Sequence, residues 1–180
     1  MGIKNKIVPG STYYLTLTIV EWIDIFSRPV YKHLTIDSLN YCIANKGLKV
    51  YCWCLMSNHL HLIVSAGDEG NLSNILRDFK KFTSKAIIDA IKENPESRKD
   101  WLLNLFWYAG KNNDKIKNFK VWQDGNDAKE IFLTSFLEQK MDYIHNNPVR
   151  AEIVGNPEEY LYSSARDYSG EKGLVSIEFV

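Results

Sequence analysis

The sequence predicts an α+β fold: a ferredoxin-like split βαβ antiparallel sheet followed by one additional C-terminal helix. Three observations predict it. Short segments rich in β-branched and aromatic residues alternate with longer segments of helical apolar spacing. Two of the short segments are separated only by Ser57-Asn58, the mark of a hairpin. A last helical segment, closed by Pro148, follows six elements that already complete the sheet.

The first strand is expected over Thr12–Val20, TYYLTLTIV. Arg28–Lys46 follows, with Tyr31, Leu34, Leu39 and Ile43 at roughly helical spacing and Gly47 as its stop. Leu48–Met56 and His59–Ser65 are the second and third strands. A helix is expected from about Leu72 to Lys92. Its apolar stripe is Leu72, Ile75, Leu76, Phe79, Phe82, Ala86, Ile87 and Ala90. Trp101–Ala109 is apolar and fits helix or strand, as core or as a dimer face. Lys111–Lys120 reads as a basic loop, Phe119–Gln123 as the fourth strand, and Glu130 to about Asn147 as the last helix. The expected organisation is a single domain, with a core over about 12–148 and an extension over 149–180.

The chain has 180 residues, 45% of them hydrophobic, enough to bury a core and to argue against a mostly disordered protein. Lys and Arg total 22 and Asp and Glu total 22, so any nucleic-acid binding must come from local patches. No run of about 18 apolar residues occurs, and MGIKNKIVPG has no apolar stretch before Pro9. Neither a membrane span nor a secretory signal is expected. Cys42, Cys52 and Cys54 are an odd count without a disulfide framework, which suggests reduced thiols and a cytoplasmic location.

Two of the four histidines form His59-Leu60-His61. On a strand, residues two apart share a face, so both imidazoles can approach one metal ion while Leu60 points into the core. Two imidazoles make an incomplete site, and a third ligand must come from elsewhere. The last helix offers one. Tyr143 and Asn147 are four residues apart and share a helix face, with Gln139 one turn earlier. An amide oxygen can complete the metal's shell, and the phenol can reach a bound phosphate.

Four ordered segments carry a family resemblance: WCLMSNHLHLIV (Trp53–Val64), RDFKKFTSKAI (Arg77–Ile87), YIHNNPVRAEIV (Tyr143–Val154) and EEYLYSSARDYSG (Glu158–Gly170). The first resembles the HUH signature of single-tyrosine transposases, and the last resembles the REP-associated tyrosine transposase branch. The resemblance spans about Tyr13 to Gly170. It implies a metal-dependent single-stranded DNA endonuclease and strand transferase, acting in DNA transposition through a covalent 5′-phosphotyrosine. By this likeness His59 and His61 match the metal pair, Tyr143 the nucleophile and Asn147 the third ligand, with Gln139 as its substitute because Asn147 precedes Pro148. The implied cofactor is Mg²⁺ or Mn²⁺. The implied partner is single-stranded DNA containing a hairpin, bound by a homodimer in some members and by a monomer in others.

Arg77, Lys80, Lys81 and Lys85 form a candidate DNA-binding patch, and Lys111, Lys115, Lys117 and Lys120 form another. Trp101, Trp107, Tyr108 and Trp122 are candidate stacking platforms. Three other readings stay open at this point. The chain is a nucleic-acid-binding module without catalysis, or a replication initiator or relaxase using the same histidines. Alternatively Cys52, Cys54, His59 and His61, on one sheet face, hold a structural zinc.

Overall fold

The computed structural model describes residues 7–67, 70–111 and 119–180. Its elements run β1 (Tyr13–Thr18), α1 (Pro29–Lys46), β2 (Leu48–Leu55), β3 (His59–Ala66), α2 (Leu72–Glu93), α3 (Lys99–Lys111), β4 (Lys129–Glu130), α4 (Thr134–His145), α5 (Asn147–Arg150) and α6 (Ala165–Tyr168). The sheet order is β2-β3-β1-β4, with every neighbouring pair antiparallel. This is the expected split arrangement: α1 carries the chain from β1 to β2, and β3 fills the gap between them.

Local chemistry explains the boundaries. Pro29 opens α1, where its missing N–H costs nothing, and Gly47 closes it at φ 68. Asn71 caps α2 by accepting from the backbone N–H of Asn74 at 3.0 Å. Ser57 and Asn58 make the expected two-residue connection, across which the Met56 amide donates to the His59 carbonyl.

The pleat separates two apolar layers. Leu15, Leu17, Trp53, Leu55, Leu60, Leu62 and Val64 pack beneath α1 and α2. Tyr14, Cys52, Cys54, Met56 and Ile63 face the other way and are covered by Ile144 of α4 and Tyr160 of the C-terminal segment. A bulge between Val50 and Cys52 makes this possible, since its extra residue, Tyr51, reverses the parity of β2. The C-terminal segment covers the free edge of β2. Leu55 donates to Tyr162, Ser164 to Trp53 and Glu178 to Val50, all through backbone amides.

Four expectations need correction. The fourth strand is Lys129–Glu130 instead of Phe119–Gln123. The latter meets the chain beyond β1 in a single isolated bridge, Ile19 to Trp122. There Trp122 turns inward, stacks near Phe26 and Phe79, and donates its indole N–H to Thr83 at 2.8 Å. It is therefore core and not a stacking platform. On α2 the buried position is Thr83, whereas Phe82 is 63% exposed. Trp101–Ala109 is helical, within α3. The last helix begins at Thr134, and Pro148 lies inside the short helix α5 after a break at Asn146. The candidate loop lysines Lys115 and Lys117 lie outside the described residues.

The alternation on β3 has a measurable consequence. Leu60→Ala should lower the unfolding free energy by about 2–5 kcal/mol, and His59→Ala, one residue away on the opposite face, by much less. Urea unfolding checks this, and equal losses would contradict the assignment of faces.

Candidate active site

The site is built on the sheet face away from α1 and α2. His59 and His61 of β3 lie opposite Thr18 and Thr16 of β1, and Cys54 of β2 also faces His61. The two imidazole rings are 4.6 Å apart between centroids, at 77°. Tyr143, on α4, brings its ring to 5.4 Å from that of His61, edge to face. Tyr14 completes the cluster, 5.9 Å from His61 and 6.4 Å from Tyr143.

Hydrogen bonds set the orientation of each imidazole. Asn58 donates its amide Nδ2 to the Trp22 carbonyl at 3.1 Å. That fixes its Oδ1 toward His59 Nδ1, 2.6 Å away, and an amide oxygen can only accept. His59 therefore carries its proton on Nδ1 and leaves the Nε2 lone pair unused. His61 Nδ1 lies 3.1 Å from the Thr16 hydroxyl and 3.2 Å from the Tyr14 hydroxyl. Its Nε2 is buried with no hydrogen-bond partner. A buried polar nitrogen left bare is costly unless something absent from the protein atoms meets it. Anchoring a histidine through Nδ1 so that Nε2 meets a cation is how metal sites hold their ligands.

Burial keeps both rings neutral, the state in which they can ligate. His61 is pulled down to about 3, first by burial and then by His59 and Lys140. His59 is lowered by burial. The donor set thus fits a divalent ion as a pair of neutral imidazoles. Among the described residues no three His, Cys, Asp or Glu side chains converge, so any third protein ligand is of another type. Asn147 is half-buried at the start of α5, one turn beyond Tyr143, and its Nδ2 leans on the Tyr143 carbonyl at 3.5 Å. That leaves Oδ1 as the available donor. Gln139 is exposed.

The structure does not support the zinc alternative. Cys52 Sγ lies 3.2 Å from His145 Nε2 and 3.6 Å from the Ser164 hydroxyl, and Cys54 meets the Met56 sulfur at 3.7 Å. Burial raises both thiols, Cys52 to about 12, which opposes the thiolate that zinc requires. The contact of Cys52 with His145 holds α4. His145, two residues past Tyr143, also reaches the Ser164 hydroxyl at 2.9 Å, so the tyrosine helix is pinned to β2 and to the C-terminal segment at once.

The basic patch lies elsewhere, on α2 in the other layer. Lys80 is turned inward onto the carbonyls of Gln123 and Gly125, and burial lowers it to about 8. It anchors that segment, which leaves Arg77, Lys81 and Lys85 as the exposed cations of the expected patch. Arg77 is paired with Asp78 at 3.1 Å. Arg77, Lys80, Lys81 and Lys85 border a groove of about 940 Å³ that does not include the histidines. The cations that do approach the tyrosine are Lys140, 5.6 Å from its ring centroid, and Arg150, 5.3 Å from it. Sequence reading missed both, although each lies within seven positions of Tyr143 in or just past its helix. It also missed Asn58, which it treated only as a turn residue.

Paired histidines and a helix-borne tyrosine thus meet on one face of an antiparallel sheet. The model of the IS200-like transposase family matches residues 11–113, more than half of the chain, and the chain belongs to that family. The match includes both histidines and ends before Tyr143. The fold is similar to that of the REP-associated tyrosine transposase solved with a REP hairpin. The TM-score is 0.63 at 18% identity, covering 99% of this chain and 92% of that one. A protein of Deinococcus radiodurans described as a transposase is also similar, with a TM-score of 0.49 at 16% identity, covering 81% of this chain and 97% of that one. No curated protein sequence matches. Among the described residues no helix is long and apolar enough to cross a membrane.

The histidines make the fold acid-sensitive. His61 at about 3 and His145 at about 4 both lie below the ordinary histidine value of roughly 6.5. The unfolded chain therefore takes up protons first as pH falls, and their contribution is complete above that value and lost below it. In EDTA, Tm should fall between pH 7 and pH 5, and the fall should be smaller in His145→Gln. A Tm independent of pH over that range would contradict the buried neutral state.

Proposed function

We propose that this transposase is a metal-dependent single-stranded DNA endonuclease and strand transferase that works through a covalent tyrosine intermediate. The observation that carries this reading is the contact between Tyr143 and His61 within one chain. His59, His61 and Asn147 are the residues that would hold a divalent ion, Mg²⁺ or Mn²⁺. When bound, the ion supplies positive charge that polarises the scissile phosphate.

The chain's own residues do the rest. The Tyr143 oxygen attacks phosphorus, forming a P–O bond to the phenol and breaking the bond to the 3′ oxygen. The phenolic proton is given up to solvent, and the departing oxygen takes one up as a 3′ hydroxyl. Lys140 and Arg150 offset the charge that develops at the phenol. The contacts of His145 Nε2 with Cys52 and Ser164 hold α4 so that the oxygen is presented to the phosphate and not swung away. A second 3′ hydroxyl reverses the step on another strand, and the phosphotyrosine conserves the bond energy, so no nucleotide triphosphate is needed.

The substrate is single-stranded DNA, and a hairpin within it is the natural element to recognise, as in the REP-hairpin complex of the similar transposase. Because Tyr143 lies against His61 of its own chain, one copy is sufficient for cleavage.

The test uses end-labelled, randomised single strands with Mn²⁺ on a denaturing gel. Wild type should give a protein–DNA adduct. Tyr143→Phe should give none, and His59→Ala and His61→Ala should fall to background while remaining folded. Mixing Tyr143→Phe with His59→Ala should restore nothing if the site is built within one chain. An adduct from Tyr143→Phe as strong as from wild type would refute the nucleophile, and recovery on mixing would refute the single-chain site.

A further inference from the structure

We propose that Trp22 is a nucleobase-stacking site at the mouth of the histidine pair, holding a base of the DNA strand next to the scissile phosphate. This deepens the cleavage reading above and rests on it. Trp22 ends the short turn that follows β1, Val20–Trp22. Glu21 and Trp22 stand at φ 52 and φ 54, consecutive positions in the left-handed region that neither residue type favours. Such backbone persists where surrounding structure imposes it, and it clusters at sites that bind or react. What the turn achieves here is to expose the indole, which is 60% accessible.

That indole stands beside the site. Its ring meets the ring of His59 nearly edge-on, at 6.2 Å. Its carbonyl receives the Asn58 amide, whose other end orients His59. Trp22, His59, His61 and Tyr143 thus form a row of four rings in which each touches the next. The exposed aromatics of α3, Trp101, Trp107 and Tyr108, have no ring contact with that row.

The chemistry selects the ligand. The carbonyl that binds Asn58 belongs to the backbone and any residue would provide it, so positioning His59 does not call for an indole. Core packing does not call for it either, since most of the ring lies in solvent. A wide, exposed π surface beside a phosphate-handling site suits a nucleobase, and stacking of this kind tolerates any base identity. Trp22 would fix where the strand lies relative to the reacting phosphate, leaving sequence readout to other contacts.

The experiment measures the affinity of full-length protein with Mn²⁺ for two labelled strands of equal length, an oligothymidylate and a fully abasic backbone, by fluorescence anisotropy. Trp22→Ala should weaken oligothymidylate binding about tenfold and leave the abasic strand unchanged, while Trp22→Phe should keep most of the affinity. Equal weakening on both strands would overturn the proposal, since a disturbed turn or lost phosphate contact would affect both. Unchanged oligothymidylate binding would overturn it as well. Adduct formation is scored on the same preparations. A wild type that forms the adduct while Trp22→Ala keeps its affinity defeats the stacking site alone. A wild type that forms none defeats the cleavage reading, and with it the placement of the base beside a scissile phosphate.

Discussion

Because β3 is pleated, His59, His61 and Ile63 face one side of the sheet while Leu60, Leu62 and Val64 face the other. The fold and the chemistry both depend on this division. The inward set is almost wholly buried and fixes the register against β1 and β2. A slip of one residue would put imidazoles into the core and leucines on the site face, so the hydrophobic effect that stabilises the sheet also aims the histidines. The bulge at Tyr51 is the matching adjustment in β2, bringing Cys52 and Cys54 to the face that α4 covers.

Polar contacts refine what packing sets. Each histidine is held through Nδ1, one by an amide and one by two hydroxyls, and the His61 ring lies against that of Tyr143. The tyrosine is positioned from its own end of the helix, two residues on. His145 joins β2 and the C-terminal segment through Cys52 and Ser164. This gives the last thirty or so residues a function in the site without their touching it: they cap the edge of β2 and supply the group that fastens α4.

Much of this was legible in the sequence, for identifiable physical reasons. Segments rich in β-branched and aromatic residues marked β1 to β3, and helical apolar stripes marked α1, with Gly47 as its stop, and α2. The His-Leu-His spacing and the four-residue step from Tyr143 to Asn147 are themselves periodicities, so the candidate site could be read in the same way. What could not be read depends on tertiary partners. Lys129–Glu130 is a strand only because Tyr13 and Tyr14 lie beside it, and Phe119–Gln123 lost that place because Trp122 found a better partner in Thr83. Lys80 looked like one more surface cation until the carbonyls of Gln123 and Gly125 closed on it. The turn that exposes Trp22 has no glycine to announce its left-handed backbone, so no local signal pointed to that residue.

The claim most open to direct test is that the two Nδ1-anchored imidazoles share one cation beside the Tyr143 phenol. Diffraction from crystals soaked in Mn²⁺, recorded at the manganese absorption edge, locates the ion without reference to activity. The account predicts a single anomalous peak bonded to Nε2 of both His59 and His61, on the side where Tyr143 lies. A peak bonded to the cysteines, or none at the histidine pair in metal-saturated crystals, would contradict it.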